Sequence, residues 1–167
     1  MWKYLIWGLS IVFIVYHMWT SRFGMPEIIK HRAIHVSFIL GLVWLYYPAT
    51  KKSPRDRPSI VDIGLFLVTL LVSIYTVINR DAFLMRGGVA VTSDYIAGAV
   101  MMLLVLESCR RAVGPQLLIL CVIFILYAWG GRYIPGVLSH RGHTVQRIIY
   151  QMYLTGQGIF EIGRAHV

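Results

Sequence analysis

Charge is scarce in this chain, and negative charge scarcer still. Only 14% of the 167 residues are charged, and seven Asp or Glu face sixteen Lys or Arg. Intramembrane or soluble enzymes of the common hydrolytic kinds need a nucleophile beside a base, or paired acids that face one another. No Ser-His-Asp set and no His-Glu-x-x-His helix is present, and Asp62 and Glu107 stand near the ends of apolar runs. No catalytic residue is therefore assigned, and the chain is not read as an enzyme. A phosphate-cradling Gly-rich loop ending in Lys-Ser/Thr is missing too, which argues against ATP-driven chemistry. Cysteine is limited to Cys109, at the end of one apolar run, and Cys121, inside another. Neither position suits a secreted disulfide framework. His140 and His143 have an i, i+3 spacing, but Gly142 lies between them and no Cys, Asp or Glu follows closely, so no metal centre is expected.

Apolar residues dominate instead. They make up 57% of the chain, and the mean hydropathy is +0.67, more than a soluble domain of this size can bury. The expectation is an all-α membrane protein of about five transmembrane helices plus one amphipathic helix that lies on the surface or braces the bundle. The formal charge of +9 does not point to nucleic acid. The basic residues sit in short segments between apolar runs, as they do beside membranes, and none is interleaved with stacking aromatics.

The run from Asp94 to Arg111 organises the rest. No charge interrupts Tyr95 to Leu106, while Asp94 precedes the run and Glu107, Arg110 and Arg111 close it. A charge at mid-bilayer costs about 2.5 to 3.5 kcal/mol on insertion scales, so end placement is favoured. Ala97, Gly98 and Ala99 would let another helix approach closely. Glu107 can reach Arg110 and Arg111 at i+3 and i+4. Asp94, Gly98, Glu107, Arg110 and Arg111 are thus the candidate packing or interface residues.

Around it, four further apolar runs are expected: Trp2 to Trp19, Ala33 to Tyr47, Ile60 to Ile78, and the shorter Leu117 to Trp129. Trp2, Trp19, Trp44, Tyr46 and Tyr47 mark interfaces. His35 falls inside the second run, and Asp62 near the start of the third reads as a helix-end charge rather than an ion ligand. The segment from Ala49 to Ser59 carries Lys51, Lys52, Arg55 and Arg57 against Asp56 alone and is placed in the cytoplasm. That orientation puts the N-terminus inside. Lys3, Arg110 and Arg111 then share the cytoplasmic side, with Arg22, Lys30, Arg32, Arg80 and Arg86 opposite. Near the far end, Val145, Ile148, Ile149, Met152 and Tyr153 form one helical stripe, opposite Gln146, Arg147 and Gln151, with Thr144 as N-cap.

Glu161 to Val167 break with what precedes them. They read as the forward translation of a common sequencing adapter, GAG ATC GGA AGA GCA CAC GTC. The natural protein is expected to continue past Phe160.

From Phe23 to Phe160 the chain resembles the N-terminal part of the fused membrane subunit of tripartite ATP-independent periplasmic (TRAP) transporters, the type paired with a TAXI-class binding protein. The resemblance rests on RAIHVSF (Arg32 to Phe38), YYPA (Tyr46 to Ala49), SDYIAG (Ser93 to Gly98), LLVLESCRRAVG (Leu103 to Gly114), YAWGGRYIPGVLSHRG (Tyr127 to Gly142) and YLTGQGIF (Tyr153 to Phe160), in that order. It implies a small-subunit-like four-helix scaffold over residues 1–113. Residues 114–160 would be the connector helix and the start of the large transport subunit. It further implies a bacterial inner (cytoplasmic) membrane permease that takes up small organic anions with sodium ions, alongside a periplasmic substrate-binding protein. No sodium or substrate ligand of the family maps onto this chain. The competing reading is a small multi-helix membrane protein with a structural or enzymatic role unrelated to transport.

Overall fold

A computed structural model describes residues 2–49, 58–155 and 158–160. The basic segment at Lys51 to Arg57 and the adapter-like tail lie outside the described residues. Among the described residues there is no strand. The helices are α1 (Trp2–Phe23), α2 (Ile28–Tyr46), α3 (Ile60–Met85), α4 (Thr92–Ala112), α5 (Pro115–Gly130) and α6 (Val145–Ile149). A 3-10 turn at Gly131–Tyr133 follows α5, and a π-helical turn at Tyr150–Leu154 follows α6. Five stretches are long and apolar enough to cross a membrane: Tyr4–Phe23, Ile28–Tyr46, Ile60–Met85, Thr92–Ala112 and Pro115–Tyr133. This is an all-α, multi-pass membrane protein. Its large exposed apolar side chains, such as Leu67, Leu71, Ile119 and Phe124, are what lipid rather than water requires of an outward face.

Helices outrun the apolar stretches in three places. α1 continues past Trp19 to Phe23, α2 begins at Ile28 rather than Ala33, and α3 runs past Ile78 to Met85. Hydropathy falls where the chain reaches the interface, but the helix persists because its polar side chains find partners there. Glu27 caps α2, its carboxylate accepting from the N–H groups of Ile29 and Lys30 at 3.0 Å. Lys30 Nζ pairs with Asp81 at 2.6 Å, and Arg80 reaches Glu27 at 3.5 Å. The start of α2 and the end of α3 are thereby tied by charge. The fifth apolar run, short by itself, is extended by Pro115 at its first turn and by the 3-10 turn at its end.

The chain divides into two compact units after Val89. In the first, α1 packs on α2 and α2 on α3. Ala33, Leu40 and Trp44 of α2 are buried, as are Val72 and Phe83 of α3. Trp44 Nε1 donates to Thr69 Oγ1 at 2.8 Å, and Thr69 donates onward to the Leu65 carbonyl at 2.8 Å. Asp62 is buried and accepts from the Ser59 N–H at 2.8 Å, a helix-end duty that the N-terminal dipole favours.

In the second unit α4 packs on α5, on α6 and on the π turn. Ala97, Met101 and Leu104 of α4 are buried, together with Ile148, Tyr153, Leu154 and Phe160. Thr144 caps α6, accepting from the Arg147 N–H at 3.3 Å. The expected stripe is altered in detail, because the π turn widens the helix after Ile149 and rotates the later side chains. Leu154 joins the buried face; Val145, ahead of the π turn at the first position of α6, is exposed.

Candidate functional site

Within the first unit, α1 and α2 meet along an aromatic and imidazole seam. Phe13, Tyr16 and His17 come from α1; His31, His35 and Phe38 come from α2, spaced by four and then three residues so that they share one helix face. His17 lies at the centre. Its ring centroid is 4.9 Å from that of His35 and 5.2 Å from that of His31, and Phe13 covers it edge-on at 4.5 Å. His17 Nε2 is 2.7 Å from His35 Nδ1, and His17 Nδ1 is 3.1 Å from the Phe13 carbonyl oxygen. Tyr16 Oη is 3.0 Å from His31 Nδ1.

These contacts dictate the protons of the neutral pair. A carbonyl oxygen only accepts, so His17 Nδ1 carries a hydrogen and donates it to Phe13. His17 Nε2 is then the acceptor, and His35 Nδ1 must donate to it. The facing nitrogens already share one hydrogen, so a proton added to the pair would go to His35 Nε2 and the shared hydrogen could then shift to His17 Nε2. The seam can in this way pass a proton between α1 and α2. Ionisable side chains inside membrane helices are uncommon and typically tied to function. Beside the seam is a groove of about 630 Å³, lined by His17, His35, Ser21, Arg22 and the apolar Phe13, Ile14 and Met18.

The residues singled out from sequence lie elsewhere, in the second unit, at three places on α4. Asp94 is buried at its start and accepts from the Val91 N–H at 3.0 Å. Gly98, at the first inward turn, takes the close approach of the π-turn segment: a Cβ there would lie 2.6 Å from Ile149 Cγ2 and 3.0 Å from Tyr153 Cδ1. Glu107 closes the helix, meeting Arg110 through two bonds at 2.8 and 2.7 Å and Arg111 Nε at 2.7 Å. The Arg111 side chain is 2% exposed and that of Arg110 41%. These residues form a cap, a packing notch and an ion cluster, and they do not converge on one another.

His140 has a positioning duty. Its Nε2 donates to the Tyr127 carbonyl at 3.0 Å, and its Nδ1 accepts from the Gly142 N–H at 3.0 Å. Tyr127 Oη donates to the Leu138 carbonyl at 2.8 Å, and the His143 N–H to the Ala128 carbonyl at 2.8 Å. The segment after α5 is thus folded back to satisfy the carbonyls at that helix end. Gly131 leaves room for the imidazole, since a Cβ there would overlap the ring, and Gly142 has φ +68°. With both His140 nitrogens engaged, the pair His140 and His143 does not present a metal site. Among the described residues no group of three or more His, Cys, Asp or Glu could hold a metal ion.

Sequence reasoning noted His35 but passed over His17, His31 and Tyr16. Three of the chain's six histidines fall between Trp2 and Tyr47, and His31 and His35 are one helical turn apart; that clustering was the available signal. Comparison with known proteins found no match to any family profile, curated protein or solved structure.

Proposed function

We propose that this chain is the scaffold portion of a fused TRAP-type permease, a sodium-driven uptake system for small organic anions that works with a periplasmic TAXI-type binding protein in the bacterial inner membrane. The observation that carries the proposal is the ordered set of segments from RAIHVSF to YLTGQGIF. Its most distinctive member, YAWGGRYIPGVLSHRG, supports a scaffold role: Tyr127, Gly131, His140 and Gly142 are the residues that lock the segment onto the end of α5. Secondary transporters bind substrate and ion at mid-membrane between paired broken helices. Among the described residues of each unit there is no such pair lined by converging polar groups, which suits a support for a transport portion better than a transport site.

Uptake into proteoliposomes tests the proposal. The full-length permease with its binding protein and an inward sodium gradient should accumulate a small organic anion without ATP, and residues 1–160 alone should not. Accumulation that ignores sodium and persists without the binding protein refutes the TRAP assignment. The proposed orientation has the N-terminus in the cytoplasm. With Cys109 and Cys121 replaced, Met25→Cys should react with an impermeant thiol reagent in intact cells and Ser53→Cys should be protected; the reverse pattern inverts the topology.

A further inference from the structure

Among the described residues, the buried Ser and Thr hydroxyls follow one habit, with one exception. Thr20 donates to the His17 carbonyl, Thr69 to Leu65 and Thr76 to Val72, as the half-buried Ser37 does to Ala33, each three or four residues back along its own helix. Such back-bonding is how Ser and Thr hide a hydroxyl inside a membrane helix. Ser73 lies on the same face of α3 as Thr69 and Thr76 and is 5% exposed, yet its Oγ has no hydrogen-bond partner. A buried, unmatched hydroxyl is costly, and in lipid no bulk water relieves it.

Ser73 also lines a cavity of about 320 Å³ between α1, α2 and α3, whose other walls are apolar groups including Leu9, Ile34, Phe38 and Phe66, and Ser37, whose hydroxyl is already engaged by the Ala33 carbonyl. Gly41 keeps the wall thin, since a Cβ there would touch the Phe66 ring at 3.0 Å. The volume lies at the small end of the range for ligand sites, about 300 to 1,000 Å³. Depth narrows the chemistry. Ser73 stands mid-way along α3 and, counted from Ile78 where the apolar run ends, about 7 to 8 Å inside the hydrocarbon core at about 1.5 Å per residue. The polar headgroup region of a bilayer with a core of about 30 Å does not reach that level.

We propose that this cavity binds a small lipid-soluble ring compound carrying a carbonyl oxygen, an aromatic ketone or quinone, whose carbonyl accepts a hydrogen bond from Ser73 Oγ while Phe38 and Phe66 flank the apolar ring. The site is independent of the transport assignment, because it rests on α1 to α3 alone.

Benzophenone photolabelling of the full chain in nanodiscs tests it, with labelled peptides located by mass spectrometry. Competition by 1-acetylnaphthalene is compared with competition by 1-ethylnaphthalene, which has nearly the same shape but no acceptor. Comparing each competitor between wild type and Ser73→Ala cancels its partitioning into lipid. The expected result is labelling of peptides that line the cavity. Ser73→Ala should weaken the ketone about three- to tenfold, the range of one net hydrogen bond, and leave the hydrocarbon within about twofold. Ser73→Thr, which keeps the hydroxyl, should retain the preference for the ketone. Labelling confined to the outward Leu67 and Leu71 face of α3 overturns the proposal. So does a ketone affinity that Ser73→Ala leaves unchanged, the result expected if a water or another helix satisfies Ser73.

Discussion

Replacing Glu107 by Gln isolates the energetics of the charge cluster that ends α4. The carboxylate accepts two bonds from Arg110 and one from Arg111, all between 2.7 and 2.8 Å, but the two arginines differ in surroundings. Arg110 is 41% exposed, so its pairing has the character of a surface ion pair, worth about 0.2 to 1 kcal/mol. The Arg111 side chain is 2% exposed, and removing the partner of a buried charge costs about 3 to 5 kcal/mol when both ions are fully buried. The carboxylate side chain is itself 30% exposed, which screens the interaction and lowers that figure by roughly half. Glu107→Gln should therefore destabilise the second unit by about 2 kcal/mol, which corresponds to a fall in Tm of about 4 to 8 °C for a chain of this size. Arg110→Gln should cost about 0.5 kcal/mol, close to the resolution of the measurement. The assay is thermal unfolding in detergent followed by a thiol-reactive dye, with the half-buried Cys109 and Cys121 as internal reporters. Raising salt should narrow the gap between wild type and Arg110→Gln while leaving most of the Glu107→Gln effect. Equal losses for Glu107→Gln and Arg110→Gln, or a Glu107→Gln loss that salt abolishes, would refute the assignment of the energy to the buried Arg111 contact.

Three other substitutions probe the remaining joints. Gly98→Ala should destabilise the packing of α4 on the π turn by about 1 to 3 kcal/mol, because Ile149 and Tyr153 already fill the space a methyl would need; unchanged thermal stability in the same dye assay would contradict the close approach. Gly131→Ala should expel the His140 ring and expose the chain after α5, seen as faster hydrogen exchange at Gly142 and His143; unaltered protection there would disprove the lock. His35→Leu should remove the hydrogen bond between imidazoles, costing about 1 kcal/mol and abolishing the N–H···N coupling of the His17 ring in nitrogen-15 NMR spectra. A spectrum in which His17 Nε2 is unaffected by that substitution would rule out the pairing.

Much of the architecture was legible from composition and the placement of charge, for a definite reason. In lipid every backbone polar group must be satisfied within the segment, so a long apolar run has few alternatives to a helix. Hence the five spanning helices, the end positions of Asp62, Asp94 and Glu107, and the cap at Thr144 could be read in advance. Arg110 and Arg111 sit within side-chain reach of Glu107 on one helix, so their pairing was local and also predictable. Helix ends were misjudged at Ile28 and Met85 because their polar residues are held by partners distant in sequence, Lys30 by Asp81 and Arg80 by Glu27. By contrast, α1 runs on past its apolar stretch to the break at Gly24 and Pro26 with local contacts alone, Thr20 on the His17 carbonyl and Arg22 over the Phe23 ring.

The histidine seam, the notch at Gly98 and the unmatched hydroxyl of Ser73 belong to a different order of information. Hydropathy measures how a residue partitions between water and lipid; it says nothing of which helix faces which, because lipid and neighbouring helix are equally apolar. His17 becomes a partner of His35 only when α1 lies against α2 in one register. Ser73 becomes the odd hydroxyl only when Phe38 and Phe66 leave a space before it and its Oγ makes no bond back to its own helix. Apolar runs settle how many helices form and roughly where they end, since that is decided by each segment alone. Which side chains meet depends on the rotation and spacing of packed pairs, and those are set only by the tertiary structure.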